Sequence, residues 1–431
     1  MLFTEKIFPG AKGSVLAFAL VLSAGAVGAQ NMESLRAGEA ADIFNSASVM
    51  SPETGARPDL LRPSAEAQPG ATSSPAKDVR AQWTMSGFKS ALGGINIAYK
   101  SRMAPGARTT TVFAGGLALA ESFESLFYAL PPDSNQFFMW YRGLPPSSWV
   151  YGRNYFEADA RDLARFINIS AERSGAARVT LVLHSYATLV VQKLVQLRGD
   201  AEVDRALGYL RGSRVLMLNP TTHYKGSEAA AGPEYAQTAQ IMSNFTKWLD
   251  TMDDIGLAWQ SATGLNPFLQ VPVDANMAVW KVQRENALRL TSEQARRMMA
   301  DHLSQPWDAA LEGVRKALLA TVRKNMDSPQ WQEALLRRTN DTANLDVSPG
   351  DIEAIRASGI KLEFVHANAD QLIPWKAERL TAAYFGIKAP EQLPRPGSMF
   401  YDRSGLFSLR VIAGDHYFPL KDPAELNKLI K

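Results

Sequence analysis

The sequence predicts an α/β protein with a mostly parallel sheet covered by helices on both faces. Three observations predict it. Short apolar runs alternate with stretches of helical spacing. The runs are apolar throughout rather than at every second position, as strands buried on both faces require. A long block of helical periodicity with almost no strand pattern interrupts the alternation once, between Thr222 and Gly359.

The elements follow in chain order. Lys6 and Lys12 precede an apolar run at 15–22, and small residues lead to Val27-Gly28-Ala29. That order reads as a secretory signal peptide over residues 1–29, with cleavage after Ala29 and export to the periplasm or the medium. The run is too short to span a bilayer, so no stable membrane anchor is expected. Residues 30–81 are rich in Ala, Ser, Pro, Gly and Glu and read as a flexible leader.

Residues 82–222 form the first part of the expected core. The runs at 82–90 and 95–101 read as two strands joined through Gly93-Gly94, followed by strands at 109–114 and 137–141. Residues 155–170 have helical spacing, with Phe156, Leu163, Phe166 and Ile167 on one side. A buried strand at 179–183 leads into a helix at 188–197, and 215–218 is the sixth strand. Residues 223–359 read as a helical cap inserted between the sixth and seventh strands, with helical stretches at 235–259, 276–302 and 307–324 and with Pro272, Pro306 and Pro329 as punctuation. Met298, Met299 and Trp307 are expected to pack within it rather than line a pocket. Residues 360–431 complete the core, with strands at 361–366 and 406–412.

At 431 residues the chain is too long for one compact core, and 46% hydrophobic with 21% charged residues is ordinary for a soluble protein. The formal charge is +3, and no Lys/Arg run is dense enough for a nucleic-acid or membrane patch. There is no cysteine, which excludes disulfides, a thiol nucleophile and Cys-ligated zinc. No His-x-x-x-His or acidic cluster points to a metal, and Gly93-Gly94 precedes no helix, so it is a turn and not a phosphate cradle. No metal and no cofactor are expected.

In Val179-Thr180-Leu181-Val182-Leu183-His184-Ser185-Tyr186-Ala187-Thr188 a strand runs straight into a serine and then into a helix. Such a turn exposes the hydroxyl at the C-terminal edge of a sheet, by the positive end of the following helix. Of five histidines, His184 belongs to this turn, His223 and His302 fall at or within the insert, and His366 lies inside an expected strand, packed beside a loop. His416 follows the last strand in Gly414-Asp415-His416-Tyr417, and Asp415 would point away from its neighbour's ring. After the seventh strand stands His366-Ala367-Asn368-Ala369-Asp370-Gln371-Leu372-Ile373-Pro374, whereas the sixth ends in Leu218-Asn219-Pro220 with no carboxylate.

Here the chain resembles the α/β-hydrolase family, over roughly residues 82–431. The family's elbow reads Gly-x-Ser-x-Gly; this chain has Leu183 and Ala187 at the two glycines, and the bulk of Leu183 should crowd the turn. The acid segment is similar to the family's His-Gly-x-x-Asp-x-x-Val-Pro, and the order Ser, Asp, His is the family's own. The resemblance implies Ser185 as nucleophile, Asp370 as acid and His416 as base. It implies an oxyanion hole from the Tyr186 N–H and a second amide in Phe113-Ala114-Gly115-Gly116-Leu117, either Leu117 or Gly116. The expected activity is hydrolysis of a carboxylic ester, with thioester and amide open, on a small lipophilic or acyl-bearing substrate. A serine acyltransferase and a non-catalytic binding protein of the same fold are the alternatives.

Overall fold

The computed structural model describes residues 83–117, 121–126, 132–148, 155–220 and 345–431 except 371. Between 307 and 338 it describes all but 308–310, 327, 329, 333 and 336. The expected signal peptide and leader lie outside these residues. So do the stretches at 235–259 and 276–302 of the expected cap, with Met298 and Met299.

Nine strands form one sheet. They are β1 (Thr84–Lys89), β2 (Asn96–Arg102), β3 (Thr110–Ala114), β4 (Asn135–Met139), β5 (Thr180–His184), β6 (Arg214–Leu218), β7 (Lys361–Ala367), β8 (Met399–Tyr401) and β9 (Phe407–Ile412). Their order is β1-β2-β4-β3-β5-β6-β7-β9-β8. The ladder from β4 through β3, β5, β6 and β7 to β9 is parallel throughout, and β1, β2 and β8 add antiparallel margins. The expectation of a mostly parallel sheet therefore holds. Every residue of β3 and β4 is buried, whereas β1 at the edge exposes most of its residues. That contrast is why the central strands read as unbroken apolar runs.

The helices are α1 (Tyr155–Ser174), α2 (Ala187–Gln196), α3 (Ala201–Leu210), α4 (Glu312–Met326), α5 (Pro349–Ser358), α6 (Trp375–Tyr384), α7 (Phe418–Lys421) and α8 (Pro423–Ile430). The face of α1 read from its spacing is buried as expected: Phe156, Leu163, Phe166 and Ile167. The helix expected at 307–324 begins five residues later, at Glu312, and Trp307 packs against the core. The N-terminal ends of α3 and α5 are fixed by side chains. Asp200 accepts the Glu202 and Val203 N–H groups, and Ser348 with Asp351 forms a capping box. Gly359 then closes α5 at φ 71°, a left-handed turn that only glycine adopts cheaply, and returns the chain to β7. Among the described residues no helix is long and apolar enough to cross a membrane.

In a parallel sheet all strands end on one side. The C-terminal ends of β3, β5, β6, β7 and β9 accordingly bring together Gly116, Ser185, Asn219, Asp370 and His416.

Candidate active site

Ser185 follows β5 directly and has φ 51°, a left-handed conformation that a residue with a side chain adopts at a cost of about 1–3 kcal/mol. Its N–H donates to the Leu218 carbonyl of β6 (3.0 Å). Its own carbonyl receives the Thr188 N–H (3.0 Å) and the Thr188 hydroxyl (2.7 Å). Three hydrogen bonds thus hold the strained turn at the mouth of α2. Leu183 is fully buried, and its partners in the flanking strands are Ala114 and Met217. Ala187 is also fully buried, as close packing of α2 on the sheet requires.

The expected acid and base meet. His416 Nδ1 lies 2.8 Å from Asp370 Oδ2, and both residues are buried. The other carboxylate oxygen, Oδ1, accepts the N–H groups of Leu372 (2.8 Å) and Ile373 (2.9 Å). Burial alone would raise the Asp370 pKa, but the His416 charge and these hydrogen bonds outweigh it and leave it below the ordinary value. An ionised carboxylate only accepts, so His416 carries a proton on Nδ1, and in the neutral ring Nε2 keeps its lone pair. Asp415 is occupied elsewhere, pairing with Lys421 and accepting the Tyr417 N–H.

A second histidine ties the loops together. The Gly116 N–H donates to Ser122 Oγ (3.0 Å), Ser122 Oγ lies 2.7 Å from His184 Nδ1, and His184 Nε2 lies 2.7 Å from the His416 carbonyl. A carbonyl only accepts, so Nε2 bears the His184 proton and the Ser122 hydroxyl donates to Nδ1. The ring stays neutral, since burial first and His416 second press its pKa down to about 3. The His416 carbonyl also receives Asn219 Nδ2 (2.9 Å), while Asn219 Oδ1 accepts the Ala367 N–H (2.8 Å). A Cβ on Gly116 would sit 3.2 Å from His184 Nδ1, so a side chain there would push the ring back by a few tenths of an ångström. Of the two amides expected on this loop, the Gly116 N–H is given to Ser122.

Sequence reasoning missed Ser122, Asn219 and the polar role of His184. His184 was assigned to the elbow without a partner, Ser122 sits in a stretch with no periodic pattern, and Asn219 was read only as the absence of a carboxylate. Two more buried ionisable groups lie close by. His366 packs its ring 5.3 Å from Trp375, beside the acid loop as expected, and burial chiefly holds its pKa at about 4. Glu378 on α6 is fully buried. Burial, and then the negative Asp370, push its pKa well above the carboxylate range.

No protein-family model matches the chain, and no curated protein sequence matches it. Solved structures similar to it include an esterase from Thermogutta terrifontis (12% identity, 80% of this chain and 96% of that one, TM-score 0.48). The haloalkane dehalogenase DatA from Agrobacterium tumefaciens C58 is similar at 12% identity over 80% and 94%, TM-score 0.48. The esterase RhEst1 from Rhodococcus sp. ECU1013 is similar at 15% identity over 80% and 98%, TM-score 0.44. At these identities the likeness extends to the fold alone, and what this chain itself has is a mostly parallel sheet with helices and a strand–serine–helix turn.

Two outcomes follow from the site's packing and charge. Leu183→Gly, which restores the family's residue, should destabilise the protein by roughly 3–5 kcal/mol in urea unfolding, because it opens a cavity beside Ala114; unchanged stability would mean that Leu183 does strain the turn. The low pKa values of His184 and His366 carry a sign. The unfolded imidazoles take up protons near pH 6.5, the folded ones only near 3 and 4. Stability contributed by their neutrality is complete above pH 6.5 and is lost as pH falls, by up to roughly 1.4 kcal/mol per pH unit for each ring. Glu378, whose raised pKa acts with the opposite sign over this range, is common to wild type and variant, so the test is their difference: His366→Phe should reduce the dependence of unfolding free energy on pH between 6.5 and 4 by one proton.

Proposed function

We propose that this chain is a serine hydrolase that cleaves a carboxylic ester through an acyl-enzyme, with Ser185 as nucleophile, His416 as base and Asp370 as the acid that orients it. The observation that carries this reading is the buried Asp370–His416 hydrogen bond at 2.8 Å. It fixes the tautomer that leaves Nε2 free to accept a proton, and a serine held at φ 51° at the start of a helix stands on the same C-terminal edge of the sheet.

The chemistry follows from these groups. His416 Nε2 takes the Ser185 proton as Oγ bonds to the substrate carbonyl carbon. The oxygen that becomes negative accepts the Tyr186 and Leu117 N–H groups. As the tetrahedral intermediate collapses, His416 gives its proton to the leaving alkoxide. Water, deprotonated by the same ring, then releases the acid and restores Ser185. Asp370 stays ionised throughout and stabilises the imidazolium that forms in each half. An ester is the favoured substrate because an alkoxide leaves more readily than an amide nitrogen; a thioester meets the same requirement. The basic–apolar–small order at the N-terminus supports action outside the cytoplasm.

Hydrolysis of p-nitrophenyl acetate, butyrate and octanoate, and of matching thioesters, tests the reading. Ser185→Ala and His416→Ala should each lower kcat/KM by at least about 10³-fold. Asp370→Asn should lower kcat strongly with little change in KM. Hydrolysis that survives Ser185→Ala would overturn the assignment.

A further inference from the structure

Behind the elbow lies a buried charge network that the proposed mechanism does not use. Tyr186, the residue after Ser185, is 2% exposed, and its hydroxyl donates to Asp159 Oδ2 of α1 at 2.8 Å. Asp159 is fully buried and receives a two-pronged contact from Arg338: Nε to Oδ2 at 2.6 Å and Nη2 to Oδ1 at 3.0 Å. Arg338 Nη2 also donates to the Arg142 carbonyl (2.7 Å), and the Arg142 guanidinium pairs with buried Asp162 at 2.7 Å. The Arg338 guanidinium lies over the rings of Tyr141, Tyr155 and Tyr186 at 5.4–5.8 Å.

Arg338 comes from the chain between β6 and β7, the region expected to form the cap, whereas Asp159 and Tyr186 belong to the sheet's own helices. Burying two full charges contributes little net stability, since desolvation offsets most of their attraction. What the pair does supply is direction. A planar guanidinium gripping a carboxylate with two parallel hydrogen bonds fixes that carboxylate in one orientation. The fixed carboxylate in turn fixes the Tyr186 ring, also wedged between Tyr141 (5.7 Å) and Phe156 (5.9 Å). Tyr186 N–H is the amide assigned to the oxyanion, so an anchor on its side chain is an anchor on the donor.

We propose that Asp159 and Arg338 are positioning residues for the Tyr186 amide, and that they couple the chain between β6 and β7 to the oxyanion hole. The inference rests on the hydrolase reading above. Tyr186→Phe removes only the hydroxyl that reports the anchor. It should lower kcat on p-nitrophenyl butyrate between about 10-fold and 100-fold, as a small misplacement of a catalytic group does, with KM within about threefold. Arg338→Met alone would strand a buried carboxylate and could unfold the protein, so the pair is removed together as Asp159→Leu with Arg338→Met. That variant should lose kcat to the same extent as Tyr186→Phe, and the triple variant should lose no more, because all three changes cut one linkage. Urea midpoints are measured alongside. If Tyr186→Phe or the paired variant loses stability while kcat per folded molecule is unchanged, the network is structural only and the proposal fails. Additive losses in the triple variant would overturn the coupling. If the wild-type protein neither hydrolyses the ester nor reacts at Ser185 with a fluorophosphonate, the hydrolase reading itself fails and takes the inference with it.

Discussion

The carbonyl oxygen of His416 is the point on which the site's geometry depends. It accepts two donors from different strand ends, His184 Nε2 at the end of β5 and Asn219 Nδ2 after β6. Asn219 in turn holds the Ala367 amide at the end of β7, and His184 holds Ser122 and through it Gly116 after β3. Five loops that share only the edge of a sheet are thereby locked to one atom. The parallel ladder brings those loops together, and the hydrogen bonds fix their spacing.

The chain separates charge from neutrality within a small volume. His184 and His366 are kept neutral by burial, and a neutral His184 both donates and accepts, which is what a connector must do. Asp370 is kept ionised by His416 and two backbone amides, so it can stabilise a positive ring. Asp159 and Arg338 pair with each other beneath the elbow at 2.6 Å. Two of these devices act on the residues flanking Ser185: His184 before it and Tyr186 after it. The strained serine is therefore clamped from both sides.

The sheet was legible because its central strands are buried on both faces and so are apolar at every position; 180–184, 214–218 and 361–367 could be read within a residue or two. The short strand β8 was not, since three half-exposed residues carry no pattern. The helices α3, α5, α6 and α8 escaped for a related reason: each has a narrow buried face, and α5 buries only Ile352 and Ile355. Asp370 and His416 were legible because each stands in a strand-end segment with few rivals. The residues that hold them were not. Asn219, Ser122, Asp159 and Arg338 act through partners as far as 197 positions away in the chain, and no local spacing encodes that.

The central claim is that Ser185 is a nucleophile activated by the Asp370–His416 pair. Its most direct measurement is peptide-resolved mass spectrometry of the folded protein after reaction with a fluorophosphonate. One phosphonyl adduct is expected, on Ser185, which disappears in urea-unfolded protein and forms far more slowly in His416→Ala. No adduct, an adduct on another residue, or labelling that persists after unfolding would contradict it.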